Sequence, residues 1–185
     1  VLTLMAPFLL FVASLVKLTS KGSLIFSQER CGLNGRKFKC YKFRSMIHQA
    51  EDMRMELDHL NEKDGPAFKI ADDPRLTRIG WYLRKFSVDE LPQLWSIIVG
   101  NMSFVGPRPA LFNQNDLIEL RTKKGVHNLM PGLTGWAQVN GRDDLPIPKK
   151  VELDTEYMRR QSFLFDAYIL WLTLLKVVGR DGVSY

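Results

Sequence analysis

Apolar positions crowd the two ends of the chain. The first sixteen residues, VLTLMAPFLLFVASLV, hold no charge, and Lys17 and Lys21 follow at once. A helix that spans a bilayer needs about 20 apolar residues. This run is shorter and carries Pro7 in its interior, where a proline removes a backbone hydrogen bond and kinks a helix. Three readings stand: a truncated span, a re-entrant hairpin bent at Pro7, and a buried core helix. A soluble core helix is usually flanked by more polar pattern, which tilts the balance toward the membrane readings. A cleaved leader would want small residues at its end, and KLTSKGSLIF follows instead. The chain opens without methionine and is expected to be cut from a longer one.

Beyond it, SLIFSQERCGLNGRKFKCYKFRSM reads as a β-hairpin around Asn34-Gly35, a pair that tolerates positive φ. Strand periodicity puts Lys42 and Arg44 on one face, opposite Phe43. IHQAEDMRMELDHL spaces Met and Leu as a helix does, and NEKDGPAFKIADDPR is turn-rich. A short helix is expected around RLTRIGWYLRKF, with Arg75, Arg78, Arg84 and Lys85 forming either a solvated basic face or a binding surface. SFLFDAYILWLTLLKVV at 162–178 is apolar nearly all round, a core or interfacial helix whose Tyr168 and Trp171 suit a headgroup level. These elements make one mostly helical α+β domain with a short hairpin. The length of 185 residues suits one core better than two.

Charge narrows the partners. Lys and Arg number 26 against 20 Asp and Glu, a formal charge of +6, which favours polyanions such as nucleic acid, anionic lipid or phosphorylated substrates. A nucleic-acid surface interleaves cations with exposed aromatics on one face, whereas here the cations scatter along the chain. Cys31 and Cys40 lack metal-ligand spacing, and two thiols favour a reducing, cytoplasmic setting.

The densest chemistry lies in FSVDELPQLWSIIVGNMSFVGPRP. Pro92 is tolerated best in a first helical turn, so a helix is expected to begin between Ser87 and Asp89. Ser87 and Glu90 match the Ser-x-x-Glu capping box. The alternative is a reaction centre. A carboxylate that attacks phosphorus is already an anion and needs no general base; its neighbour can hold Mg²⁺ beside substrate phosphates. His48, His59 and His127 all lie outside the dense motifs, so no Ser-His or Cys-His arrangement competes. In Gly106-Pro107-Arg108-Pro109 two prolines fix the backbone around one arginine, either a surface turn or a guanidinium set to fork onto phosphate. MPGLTGWAQVNGRDDL gathers Trp136, Gln138, Asn140 and Arg142 among glycines, and could close on a nucleotide or be a tight structural turn.

Three motifs in register, YKFRSM, DDPRLTRIGWYLRKFSVDELPQLWSIIVGNMSFVGPRP and PGLTGWAQVNGR, closely resemble the bacterial sugar transferases that are monotopic polyprenyl-phosphate phosphoglycosyl transferases. The resemblance implies an enzyme of the bacterial inner membrane, at its cytoplasmic face. Such an enzyme moves a sugar 1-phosphate from a nucleotide diphosphate sugar, with UDP as the expected nucleotide, to undecaprenyl phosphate. It releases UMP and starts exopolysaccharide, O-antigen or glycoprotein glycan assembly. The resemblance also implies Asp89 as the nucleophile of a covalent phosphosugar intermediate, Glu90 as the Mg²⁺ ligand, and Lys42 and Arg108 on phosphates. Arg44, Gln138 and Arg142 join them as candidate substrate-binding residues. Residues 1–20 are then a re-entrant membrane helix broken at Pro7, and 21–185 the catalytic domain, with membrane lipid but no nucleic acid among the partners. Asn101 stands where the family commonly has aspartate. Donor selection is expected from 61–70 and from GRDDLPIPKK. The rivals are an aspartyl-phosphate phosphatase and a non-catalytic basic module.

Overall fold

The computed structural model describes residues 2–62, 68, 70, 72–141 and 144–179. Its contacts separate into two compact units, one built from residues up to Ser27 and from Tyr41 to Leu94, the other from Gln28 to Cys40 and from Trp95 onward. The mixture of helices with two small two-stranded sheets is the expected α+β class.

In the first unit α1, Leu2–Thr19, runs as a helix through Pro7. Leu9, Val12, Ala13 and Val16 recur at helical spacing and pack on Phe43, Ile79, Leu83 and Val88. Val12 and Val16 are fully buried, whereas Phe8, Leu10, Phe11 and Leu18 remain exposed. The helix is thus a core element on one stripe and bare on another. Among the described residues no helix is long and apolar enough to cross a membrane. The end of α1 meets Arg44, whose Nη2 donates to the Ser20 carbonyl at 2.7 Å and to Ser20 Oγ at 2.8 Å. A cation there suits the negative end of the helix.

The hairpin forms where expected. β1, Ile25–Cys31, and β2, Lys37–Phe43, are joined through Asn34 (φ 54°) and Gly35 (φ 74°), both left-handed. The segment after it departs from its helical spacing. Residues 47–60 form turns with two short 3-10 helices, Asp52–Arg54 and Asp58–Leu60, and Gln49 takes φ 65°. Met55 is 86% exposed, so this apolar stripe has no core to cover, and a helix without such packing is marginal in water.

α2, Arg78–Lys85, begins where Thr77 Oγ1 accepts from the Gly80 amide at 2.8 Å, an N-cap that satisfies an otherwise orphaned donor. A Cβ at Gly80 would fall 1.8 Å from the Ser45 carbonyl oxygen. Only glycine lets α2 lie against that backbone.

The second unit is organised on β3, Ser103–Val105, and β4, Gly132–Thr134, a parallel pair in register Ser103 to Gly132 and Val105 to Thr134. Helices α4 (Asn115–Lys123), α5 (Trp136–Val139), α6 (Ile147–Arg160) and α7 (Phe163–Gly179) follow; the short α3, Leu94–Ile98, precedes β3. Val105, Val139, Tyr157, Phe165 and Ile169 form its main core. On α7 only Phe165 and Ile169 are buried, while Phe163, Leu164, Trp171, Leu174 and Leu175 are exposed. Both expectations for this helix therefore have a face: a narrow core stripe and a broad bare one.

Candidate active site

Asp89 and Glu90 lie on a six-residue 3-10 segment, Val88–Gln93, that leads into α3. The expected capping box does not form. Ser87 takes left-handed φ 53°, ψ 21°, and its side chain caps nothing, whereas a capping residue has extended backbone. Only the Ser87 backbone takes part, its carbonyl accepting from the Glu90 amide at 3.2 Å. The regular helix expected from 87–89 is likewise replaced, at its start, by the tighter 3-10 geometry.

What surrounds the two acids is cationic. Both are nearly inaccessible, at 5% and 6% exposure. Lys42, on β2, donates from Nζ to Glu90 Oε1 at 2.7 Å. Arg84, at the end of α2, donates from Nε to Ser45 Oγ at 2.9 Å. Burial is the largest influence on Arg84 and lowers its pKa from the ordinary arginine value; the negative charges of Asp89, Asp73 and Glu90 oppose that shift. A guanidinium remains charged regardless, so the acids sit in a positive field supplied by side chains.

A second pair stands apart in character. Arg75 forks onto Asp73, Nε to Oδ1 at 2.8 Å and Nη2 to Oδ2 at 2.7 Å. Burial pushes the Asp73 carboxyl up, but the hydrogen bonds and charge of Arg75 outweigh it and hold the group below its ordinary value. With both oxygens engaged, Asp73 is structural.

The structure brings Lys42, Asp89 and Glu90 together in the first unit. Arg44, although it follows Lys42 by two residues as expected, turns to Ser20; its Nη1 is buried without a hydrogen-bond partner. Arg108 and Gln138 belong to the second unit. Both amide atoms of Gln138 are buried and unpartnered, a costly state for such groups. Trp136 is committed to the scaffold: its Nε1 donates to Glu156 Oε2 at 2.9 Å and its ring packs on Phe165. Arg142 lies outside the described residues, as does most of 61–70.

Arg84 is the residue near the acids that the sequence left undecided, with Arg75, Arg78 and Lys85, between a solvated basic face and a binding surface. No local signal marks it, because its distinguishing partner, Ser45, is 39 residues away.

Among the described residues no group of three or more His, Cys, Asp or Glu could hold a metal by itself. Two adjacent carboxylates are present. Mg²⁺ characteristically takes one or two carboxylates and fills its shell with water and substrate phosphates, so this donor set fits Mg²⁺ arriving with a diphosphate rather than a closed protein cage.

A family model described as Bacterial sugar transferase matches residues 1–180. The uncharacterized sugar transferase EpsL of Bacillus subtilis (strain 168) is 40% identical over 178 residues, covering 95% of this chain and 80% of its own length. The exopolysaccharide production protein ExoY of Rhizobium meliloti (strain 1021) is 40% identical over 187 residues, 98% of this chain and 81% of its own. The UDP-glucose:undecaprenyl-phosphate glucose-1-phosphate transferase of Escherichia coli (strain K12) is 41% identical over 185 residues, 95% of this chain but 37% of its own.

Proposed function

The chain belongs to the bacterial sugar transferase family, and from that premise we propose that it transfers a sugar 1-phosphate from a UDP-sugar to undecaprenyl phosphate, initiating exopolysaccharide assembly. Two substrates named in its E. coli relative, a UDP-sugar and undecaprenyl phosphate, support the reading. The observation that carries it is local: two adjacent buried carboxylates, one of them held 2.7 Å from a lysine ammonium, with an arginine beside them.

The mechanism follows from which group is already an anion. Asp89 attacks the sugar-bearing phosphorus of the donor. An oxygen–phosphorus bond forms as the bond from that phosphorus to the bridging oxygen breaks, and UMP departs with the bridging oxygen. The undecaprenyl phosphate oxygen then attacks the same phosphorus, expels the Asp89 carboxylate and yields the lipid diphosphate sugar. Neither step demands a base, since both nucleophiles are anions. Lys42 orients Glu90, Arg84 supplies positive charge toward Asp89, and Arg108 contacts donor phosphate. Mg²⁺ held by Glu90, when bound, neutralises charge on the diphosphate. Gln138, Arg142 and Arg44 are proposed on the substrate side of the same chemistry.

Because the acceptor is a lipid, the reaction is proposed at the cytoplasmic face of the bacterial inner membrane. There α1 would lodge as a re-entrant element bent at Pro7, its bare Phe8, Leu10 and Phe11 against acyl chains; helices with a free apolar face bind such interfaces.

The test is product formation. Incubated with radiolabelled UDP-glucose, UDP-galactose or UDP-N-acetylhexosamine, Mg²⁺ and undecaprenyl phosphate, the protein is expected to move label into the organic phase and release UMP. Free sugar phosphate in the aqueous phase without lipid product would identify a phosphatase instead. No turnover of any of these donors would remove the transferase reading.

A further inference from the structure

The turn Gly106-Pro107-Arg108-Pro109 has a difficulty built into its sequence: two of its residues have no N–H, so the turn can be tethered mainly through its carbonyls. Four consecutive carbonyls are in fact each taken by a different donor. That of Pro107 accepts from the Gly132 amide at 2.9 Å, and that of Ala110 from the Cys31 amide at 3.0 Å. The Arg108 carbonyl accepts from Arg121 Nη1 at 2.8 Å, and the Pro109 carbonyl from Arg30 Nη1 at 3.3 Å. Arg121 is itself immobilised. Its Nε and Nη2 both donate to Asp154 Oδ2, at 2.9 and 2.7 Å. Asp154, in the middle of α6, is 1% exposed and Arg121 is 9% exposed.

A buried ion pair is weak evidence of a contribution to stability, because apolar residues of like volume often serve as well. Its third contact gives this one a use. Charge-assisted donors hold an acceptor more strongly than neutral ones, and the acceptor here is the peptide carbonyl of the residue whose guanidinium is meant for phosphate.

We propose that the Arg121–Asp154 pair is a positioning device for Arg108, fixing the backbone of the turn so that the Arg108 guanidinium is presented to the donor's phosphate in one orientation. This rests on the proposed phosphate role of Arg108. Arg121 and Asp154 act only through the turn and touch no substrate. In reactions that depend on alignment, a misplacement near 1 Å costs on the order of 100-fold in rate.

The test is a double-mutant cycle on kcat/KM for the UDP-sugar that the wild-type protein turns over. Arg121→Lys keeps a cation beside Asp154 but cannot fork onto it and reach the Arg108 carbonyl together. It is expected to lower kcat/KM on the order of 10-fold to 100-fold and to have no further effect when Arg108 is already alanine. An equal loss in both backgrounds would reduce the pair to a structural role and overturn the proposal, as would no loss at all. If Arg108→Ala is itself fully active, the reading of Arg108 fails, which is a separate outcome. Should Arg121→Lys not fold, Asp154→Asn retains an acceptor for Arg121 without the charge. Hydrogen exchange over residues 104–112 then reads the turn without any substrate: faster exchange confined to that segment in either variant supports the device, and unchanged exchange contradicts it.

Discussion

The buried acids Asp154, in the second unit, and Glu90, in the first, meet their cations in different ways. Asp154 stands within the fourteen-residue α6 and receives two nitrogens of a guanidinium, while the third reaches a backbone carbonyl. Glu90 stands on a six-residue 3-10 segment and accepts from the ammonium of Lys42, on a side chain 24% exposed. A planar fork fixes geometry, whereas an ammonium on a flexible stem is a point charge that can follow a moving partner. The first arrangement suits a scaffold. The second suits a site where charge must appear on a substrate and leave again. Regular helix and short 3-10 backbone divide along the same line, since tight 3-10 stretches recur at functional positions.

That contrast can be broken by mutation. The largest effect on folding is expected from Asp154→Ala, which leaves Arg121 buried without its counter-charge and costs about 3–5 kcal/mol, read as a fall in the urea midpoint. Lys42→Met removes the corresponding partner of Glu90. Because the Lys42 side chain is 24% exposed, its loss is expected to cost less than that of Asp154, about 1–3 kcal/mol of stability, yet to lower kcat/KM on the order of 100-fold by misplacing Glu90. If the two substitutions destabilise the fold alike, or if Lys42→Met keeps full activity, the division between scaffold and chemistry disappears.

The smallest effect sharpens the structural side. Asp73 is held below its ordinary pKa by Arg75, so it binds protons more weakly folded than unfolded. Its contribution to stability is present above the unfolded value, near 3.9, and is lost as pH falls through the depressed folded one. Asp73→Asn is therefore expected to flatten the decline of stability below about pH 4. An unchanged acid slope would mean that Asp73 carries none of it.

Much of this was written in the sequence, and what was not shares a cause. Asn34-Gly35 marked its hairpin because positive φ is a local property, and Thr77, although not singled out, is a local cap of the same kind. Ser87 misled because its motif matched a cap while its backbone is left-handed, a conformation that no side-chain pattern announces. The 47–60 stripe misled because periodicity predicts a face but not a partner for it. The dyad itself was legible as adjacent acids beside a proline. Its field was not legible locally: Lys42 is 48 residues from Glu90 and entered only through the resemblance, Arg84 is close in sequence but its partner Ser45 is 39 residues from it, and 33 residues separate Arg121 from Asp154.

The central claim is that Asp89 is the nucleophile. Its most direct test is the intact mass of the protein after incubation with UDP-sugar and Mg²⁺ in the absence of any lipid acceptor. The account predicts an adduct equal to one sugar phosphate, lost on adding undecaprenyl phosphate and absent from Asp89→Asn. An adduct that persists in Asp89→Asn, or lipid product made by a wild-type protein that never carries one, would contradict it.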